Sequence, residues 1–130
     1  MKADIGLIGL AVMGENLAMN MESHGFRVAV FNRTQDKLAT FLEGRARGKN
    51  FMGATNLQEF VSMLELPRRI ILMIKAGNPV DDLIEQLVPL LTDGDIIIDG
   101  GNSNFLDTIR RTGYVESQGK RYVGTGISGG

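Results

Sequence analysis

Gly9-Leu10-Ala11-Val12-Met13-Gly14 follows the apolar run at residues 5–8 and precedes a stretch with helical spacing. A glycine-rich turn between a strand and a helix brings backbone N–H groups and the positive end of the helix to one point. A pyrophosphate can settle there with no side chain in between. Gly9 permits the tight turn, and Gly14 lets the helix pack close to the strand. Ala11 stands where such turns usually carry their central glycine, so its methyl group should hold a phosphate slightly farther off. As a bare pattern the turn could serve packing alone. Its place between a strand and a helix points instead to a nucleotide.

Asn32-Arg33-Thr34 comes at the end of the next apolar run, about where an NAD site usually has an acidic residue for the ribose 2′-hydroxyl. A carboxylate would repel a 2′-phosphate, whereas the Arg33 guanidinium can clamp one with charge-assisted hydrogen bonds. Asn32 can bond the ribose, and Thr34 can offer its hydroxyl or the N–H groups of the helix it opens. The pattern therefore predicts NADP over NAD, against the plainer possibility of an ordinary surface arginine in a solvated turn.

Two further glycine-bearing stretches follow strands: "IKAGN" at residues 74–78 and "DGGNSN" at residues 99–104. In a parallel α/β sheet the carboxyl ends of the strands face the ligand crevice. Turn chemistry explains Gly77, Gly100 and Gly101, but not why Lys75 and Asn102 stand beside them. Asn102 has donors and an acceptor, so it can bridge two ligands. Three other features are expected to be structural. His24, the only histidine, should cap a helix end, "RARGK" at residues 45–49 should be a solvated loop, and the methionines should fill core space. No metal-ligand cluster and no nucleophile–base pair stands at recognisable spacing, and no nucleic acid is expected as a partner.

Alternating strands and helices must hold these motifs. Strands are predicted at residues 3–8, 27–31, 51–54, 70–74, 95–99 and 121–125. The first helix should begin near Gly14, carry Met13, Leu17 and Met21 on one face and stop at Gly25. Thr34 should cap a second helix carrying Leu38, Phe41 and Leu42. Asn56 and Glu59 have capping-box spacing for a third, which Pro67 closes off. Asn78-Pro79 reads as an N-cap with proline in the first turn. Val80, Leu83, Ile84, Leu87, Val88 and Leu91 then form an apolar stripe, ended or kinked at Pro89. A helix over 104–117 is expected to be interrupted by Gly113. The run at 95–99 suits a strand covered on both faces. Together these elements specify an α/β fold: a doubly wound, mainly parallel, six-stranded Rossmann sheet.

The 130 residues make one domain, with 43% hydrophobic residues to build its core. A net charge of −1 gives no general pull toward nucleic acid or an anionic membrane. The absence of cysteine fits a reducing compartment. No apolar run approaches the ~20 residues of a membrane span. A cytoplasmic location without membrane contact is the expectation. Residues 126–130 form a glycine-rich loop after a strand, and the chain is expected to be cut from a longer protein there.

Taken together, "GLAVMGENLA", "FNRT", "PRRIILMIKAG", "GDIIIDGGNS" and "GTGISGG" resemble the 6-phosphogluconate dehydrogenases, NADP-dependent decarboxylating enzymes, in the same order from the first strand to the last residue. Alanine is typical of that family at the turn, so Ala11 becomes a family mark. The resemblance implies that Gly9, Leu10, Ala11, Val12, Met13 and Gly14 hold the NADP pyrophosphate, while Asn32, Arg33 and Thr34 surround the 2′-phosphate. It also implies that Ile74, Lys75, Ala76 and Gly77 lie along the cofactor toward the nicotinamide. Asn102 would touch both cofactor and sugar acid, and Ser128, Gly129 and Gly130 would bind the substrate, 6-phosphogluconate.

In the family, hydride passes from the substrate C3 hydroxyl carbon to NADP⁺, the β-keto acid loses CO₂, and the enediol is protonated to ribulose 5-phosphate, a pentose phosphate pathway reaction. A lysine base and a glutamate acid serve these steps. Both are expected beyond residue 130, with the helical domain that builds a homodimer, so no catalytic residue is assigned within the chain and turnover by it alone is not expected. Gly113 departs from the family pattern. A β-hydroxyacid dehydrogenase of the hydroxyisobutyrate kind would normally have glycine in place of Ala11 and a serine/threonine-rich turn in place of "DGGNS". A non-enzymatic NADP-sensing module is the other alternative.

Overall fold

The computed structural model describes residues 1–101 and 103–125. Six strands alternate with helices: β1 Ile5–Ile8, α1 Val12–Ser23, β2 Val28–Phe31, α2 Gln35–Glu43, β3 Phe51–Gly53, α3 Leu57–Ser62, β4 Arg69–Leu72, α4 Asn78–Leu87, β5 Ile96–Asp99, α5 Phe105–Ser117 and β6 Arg121–Gly124. They form one sheet in the order β3-β2-β1-β4-β5-β6, and every pairing is parallel. The strand order reverses between β1 and β4, the switch point at which doubly wound sheets open a ligand crevice. No helix among the described residues is long and apolar enough to cross a membrane.

Successive strand residues feed opposite cores, as the two-residue period of a strand requires. Leu7, Val28, Val30 and Ile71 pack with Leu38 and Phe41 of α2 and Ala18 of α1. Ile8, Ala29, Ile70 and Leu72 pack on the other face with Phe60 of α3 and the α4 stripe. That stripe is buried at every predicted position, Val80, Leu83, Ile84, Leu87, Val88 and Leu91. The α-helix ends at Leu87 and tightens to a 3-10 turn over Val88–Leu90 around Pro89.

Four expectations are corrected. The residues of α1 that are fully buried against the sheet are Gly14 and Ala18; Leu17 and Met21 pack half-buried against the same core, and Met13 does not. Met13 is 45% exposed, because close approach of helix to strand needs small residues. The N-cap of α4 is Gly77, with φ of 102°, so Asn78 is the first helical residue. Gly113 lies inside an unbroken α5, because an isolated helical glycine costs only about 1 kcal/mol and tertiary packing outweighs it. β5 is fully covered on one face only: Ile97 and Asp99 are buried, whereas Ile96 and Ile98 are half-buried.

Candidate functional site

The carboxyl ends of β1, β2 and β4 open into a cleft of about 810 Å³. Its floor is the turn after β1. Gly9 has φ of 109°, and a Cβ there would strike the Met73 carbonyl; a Cβ on Gly14 would strike the Gly9 carbonyl. Both glycines are therefore required by close backbone approach, one to turn the chain and one to seat α1 against it. Ala11 differs. Its φ of −72° is ordinary for any residue, and its side chain is exposed at the cleft. Alanine costs the backbone nothing there.

Ala11 is also the N-cap of α1, and no side chain caps that helix. The first bond back into the helix runs from the Glu15 N–H to the Ala11 carbonyl at 2.9 Å. The N–H groups of Val12, Met13 and Gly14 thus precede the helical ladder. Thr34 occupies the N-cap position of α2 as predicted, but its hydroxyl caps nothing. Gly77 offers α4 no side chain at all. In contrast, α3 is capped by Asn56, whose Oδ1 accepts the Glu59 N–H at 2.8 Å, and α5 by Asn104, which accepts from Leu106. Three helices thus begin without a side-chain cap around the crevice, and an anion placed there would meet unpaired donors and three positive helix ends.

Asn32 has a structural task that its sequence position did not show. It is only 9% exposed. Its Oδ1 accepts the Leu10 N–H at 2.8 Å, and its Nδ2 donates to the Thr34 carbonyl at 2.9 Å. The side chain braces the β1 turn against the end of β2, with one amide hydrogen left for a ligand. Arg33 is exposed and lines the cleft, and among the described residues it joins no ion pair. Lys37, one turn into α2, lines the same wall. Sequence reasoning missed Lys37, although its place three residues after Thr34 puts it on the same helix face as the cap.

Ile74 and Lys75 line the opposite wall of the cleft. Val12 and Met13 sit exposed on the first turn of α1, Gly14 is buried beneath it, and Ala76 and Gly77 lead into α4. Asn102, Ser128, Gly129 and Gly130 lie outside the described residues. The carboxyl end of β5 carries a second, smaller hollow of about 240 Å³, lined by Asp99, Ser103, Thr108 and Thr125 among others.

Between these two openings lies a buried polar hub that the sequence did not reveal. Asp99 is 1% exposed; its carboxylate accepts from the Gly101 N–H at 2.9 Å, from the Ser103 hydroxyl and from the Tyr122 hydroxyl at 3.0 Å. Arg111, 2% exposed, donates to Asp81 at 2.8 Å, to the Gly77 carbonyl at 3.1 Å and to the Ser103 hydroxyl at 3.2 Å. The hydrogen bond from Arg111 holds the Asp81 carboxyl down at about 2, against the upward pull of burial. Burial, aided by the adjacent Asp99, pushes the Tyr122 phenol above its ordinary value, so it donates as a neutral hydroxyl. His24, as expected, serves a helix end, with Nδ1 2.8 Å from the Asn20 carbonyl.

Residues 4–130 match the family described as the NAD binding domain of 6-phosphogluconate dehydrogenase. The chain is 58% identical over 130 residues to the decarboxylating 6-phosphogluconate dehydrogenase of Treponema pallidum, covering all of this chain and 27% of that protein. The human enzyme of the same name is 58% identical over 129 residues, again 99% of this chain and 27% of that one. The chain therefore spans about a quarter of the length of these relatives.

Among solved structures, Plasmodium falciparum 6-phosphogluconate dehydrogenase superimposes with a TM-score of 0.85 at 39% identity, over 92% of this chain and 26% of that one. That protein was solved apo, with its cofactor NADP⁺ and with its substrate 6-phosphogluconate. Mycobacterium tuberculosis 3-hydroxyisobutyrate dehydrogenase gives a TM-score of 0.83 over 100% of this chain and 42% of that one, but at 19% identity, a likeness of fold alone.

Proposed function

The chain belongs to the family of the 6-phosphogluconate dehydrogenase NAD binding domain, and on that premise we propose that residues 1–130 form the NADP-binding domain of a decarboxylating 6-phosphogluconate dehydrogenase. The observation that carries the cofactor assignment is Arg33, exposed and without an ion pair among the described residues, on the wall of the crevice where an NAD site would hold a carboxylate. The residues present fit the group: a glycine-shaped turn, unpaired N–H groups on α1, and two cations, Arg33 and Lys37, on the β2 side.

In this reading the turn from Gly9 to Gly14 receives the pyrophosphate on the N–H groups of residues 11–14, while the Leu10 N–H stays with Asn32. Arg33 and the Thr34 hydroxyl receive the 2′-phosphate, and the free amide hydrogen of Asn32 reaches the ribose. Ile74, Lys75, Ala76 and Gly77 guide the cofactor toward its reactive end. When bound, NADP⁺ supplies the hydride acceptor for oxidation of 6-phosphogluconate. Asn102, Ser128, Gly129 and Gly130 are assigned to the sugar acid. The whole enzyme is proposed to work as a cytoplasmic homodimer in the pentose phosphate pathway, with its proton-transferring groups outside this chain. The hydroxyisobutyrate alternative has no support beyond the shared fold.

Calorimetric titration of the chain with NADP and NAD tests the cofactor assignment. NADP should bind at least about tenfold more tightly, a difference of about 1.4 kcal/mol. Equal affinities would overturn it.

A further inference from the structure

We propose that Arg111 is a positioning residue for the nicotinamide end of the cleft, its guanidinium fixing the distance between the loop that enters α4 and the loop that leaves β5. The inference rests on the NADP reading above and adds a residue to it. On one side the guanidinium holds the Gly77 carbonyl at 3.1 Å and Asp81 at 2.8 Å. On the other it holds the Ser103 hydroxyl at 3.2 Å and stands 4.0 Å from the Asp99 carboxylate. The two loops leave neighbouring strands, β4 and β5, and both need a brace. Gly77 sits at φ of 102°, and Gly100-Gly101 follows Asp99 directly.

Burying a guanidinium carries a desolvation cost that ion pairing does little more than offset. One turn along α5, Val115 is fully buried in the apolar core without that cost. The Arg111 donors instead run toward the carboxyl ends of the strands, where the crevice opens. Among the described residues no buried side-chain polar atom lacks a partner. The network is thus saturated and is not itself a ligand site; it can only hold its neighbours in place.

The test compares two ligands on the same chain. Adenosine 2′,5′-bisphosphate occupies the Arg33 end and stops short of the loops, whereas NADP spans both. In Arg111→Met, NADP affinity should fall about five- to tenfold, while that of the bisphosphate stays within about twofold. Asp81→Asn and Ser103→Ala should each show the same bias to a smaller extent. A folded Arg111→Met that binds NADP unchanged, or that loses both ligands in proportion, overturns the proposal. Should Arg111→Met fail to fold, unchanged NADP binding in both milder variants overturns it equally. An unmodified chain that binds neither ligand would instead refute the NADP reading itself.

Discussion

The two halves of the crevice are built by opposite means. At the β1–β2 side, shape comes from the absence of side chains: Gly9 and Gly14 let backbone meet backbone, α1 starts uncapped, and Arg33 reaches into solvent. At the β4–β5 side, shape comes from saturation. Asp99, Ser103, Tyr122, Arg111 and Asp81 satisfy one another, leaving little unpaired. The first half keeps donors unpaired for a ligand to use. The second is a frame that holds glycine-containing loops still. An anion-binding surface must be under-satisfied before it binds, whereas a surface that sets a reacting geometry must be over-determined.

The contrast is broken most forcefully by Asp99→Ala. It strips the Gly101, Ser103 and Tyr122 donors of a buried acceptor, and the loss of stability should reach about 3 kcal/mol. Urea unfolding reads that loss, and binding of adenosine 2′,5′-bisphosphate at the other half should survive it. Arg33→Ala is the converse change. It should leave the unfolding midpoint where it was and cost about 1.5–3 kcal/mol of NADP binding, with NAD barely affected.

Protonation sharpens the contrast more gently. Asp81 is held at about 2, below its ordinary 3.8. Its contribution is complete above the unfolded value and is lost as pH falls from about 4 toward about 2. After solvent screening it amounts to about 1 kcal/mol. Unfolding curves at pH 5 and pH 2.5 should show that loss in the unmodified chain and a smaller drop in Asp81→Asn. The smallest effect is expected of Ala11→Gly. The backbone at residue 11 is already ordinary, so stability should change by less than about 1 kcal/mol through helix entry alone, while phosphate contact stays or tightens slightly on titration.

The same contrast separates what the sequence made legible from what it hid. The six strands, the α4 stripe and the Pro89 stop follow from local periodicity, and the structure bears them out. The Gly9–Gly14 spacing, with Arg33 where an acid would stand, is also local, because each motif sits on one strand–helix junction. The hub is not local. Arg111 meets Asp81 across 30 positions, and Tyr122 meets Asp99 across 23. No pattern within one element shows that an arginine on a helix will turn inward. The second role of Asn32 is hidden for a related reason: its type allows a ribose contact, but only the fold shows that it also holds the Leu10 N–H. Met13 stays 45% exposed because contact with the sheet selects the small residues Gly14 and Ala18 over larger apolar ones.

Backbone amide NMR of the ¹⁵N-labelled chain, titrated with NADP, tests the placement of the cofactor most directly. The largest shift changes should fall on the N–H groups of residues 10–14 and 33–35, with smaller ones at 74–77. Changes centred on the β5–β6 hollow, at Ser103, Thr108 and Gly124, with residues 10–14 unmoved, would contradict it.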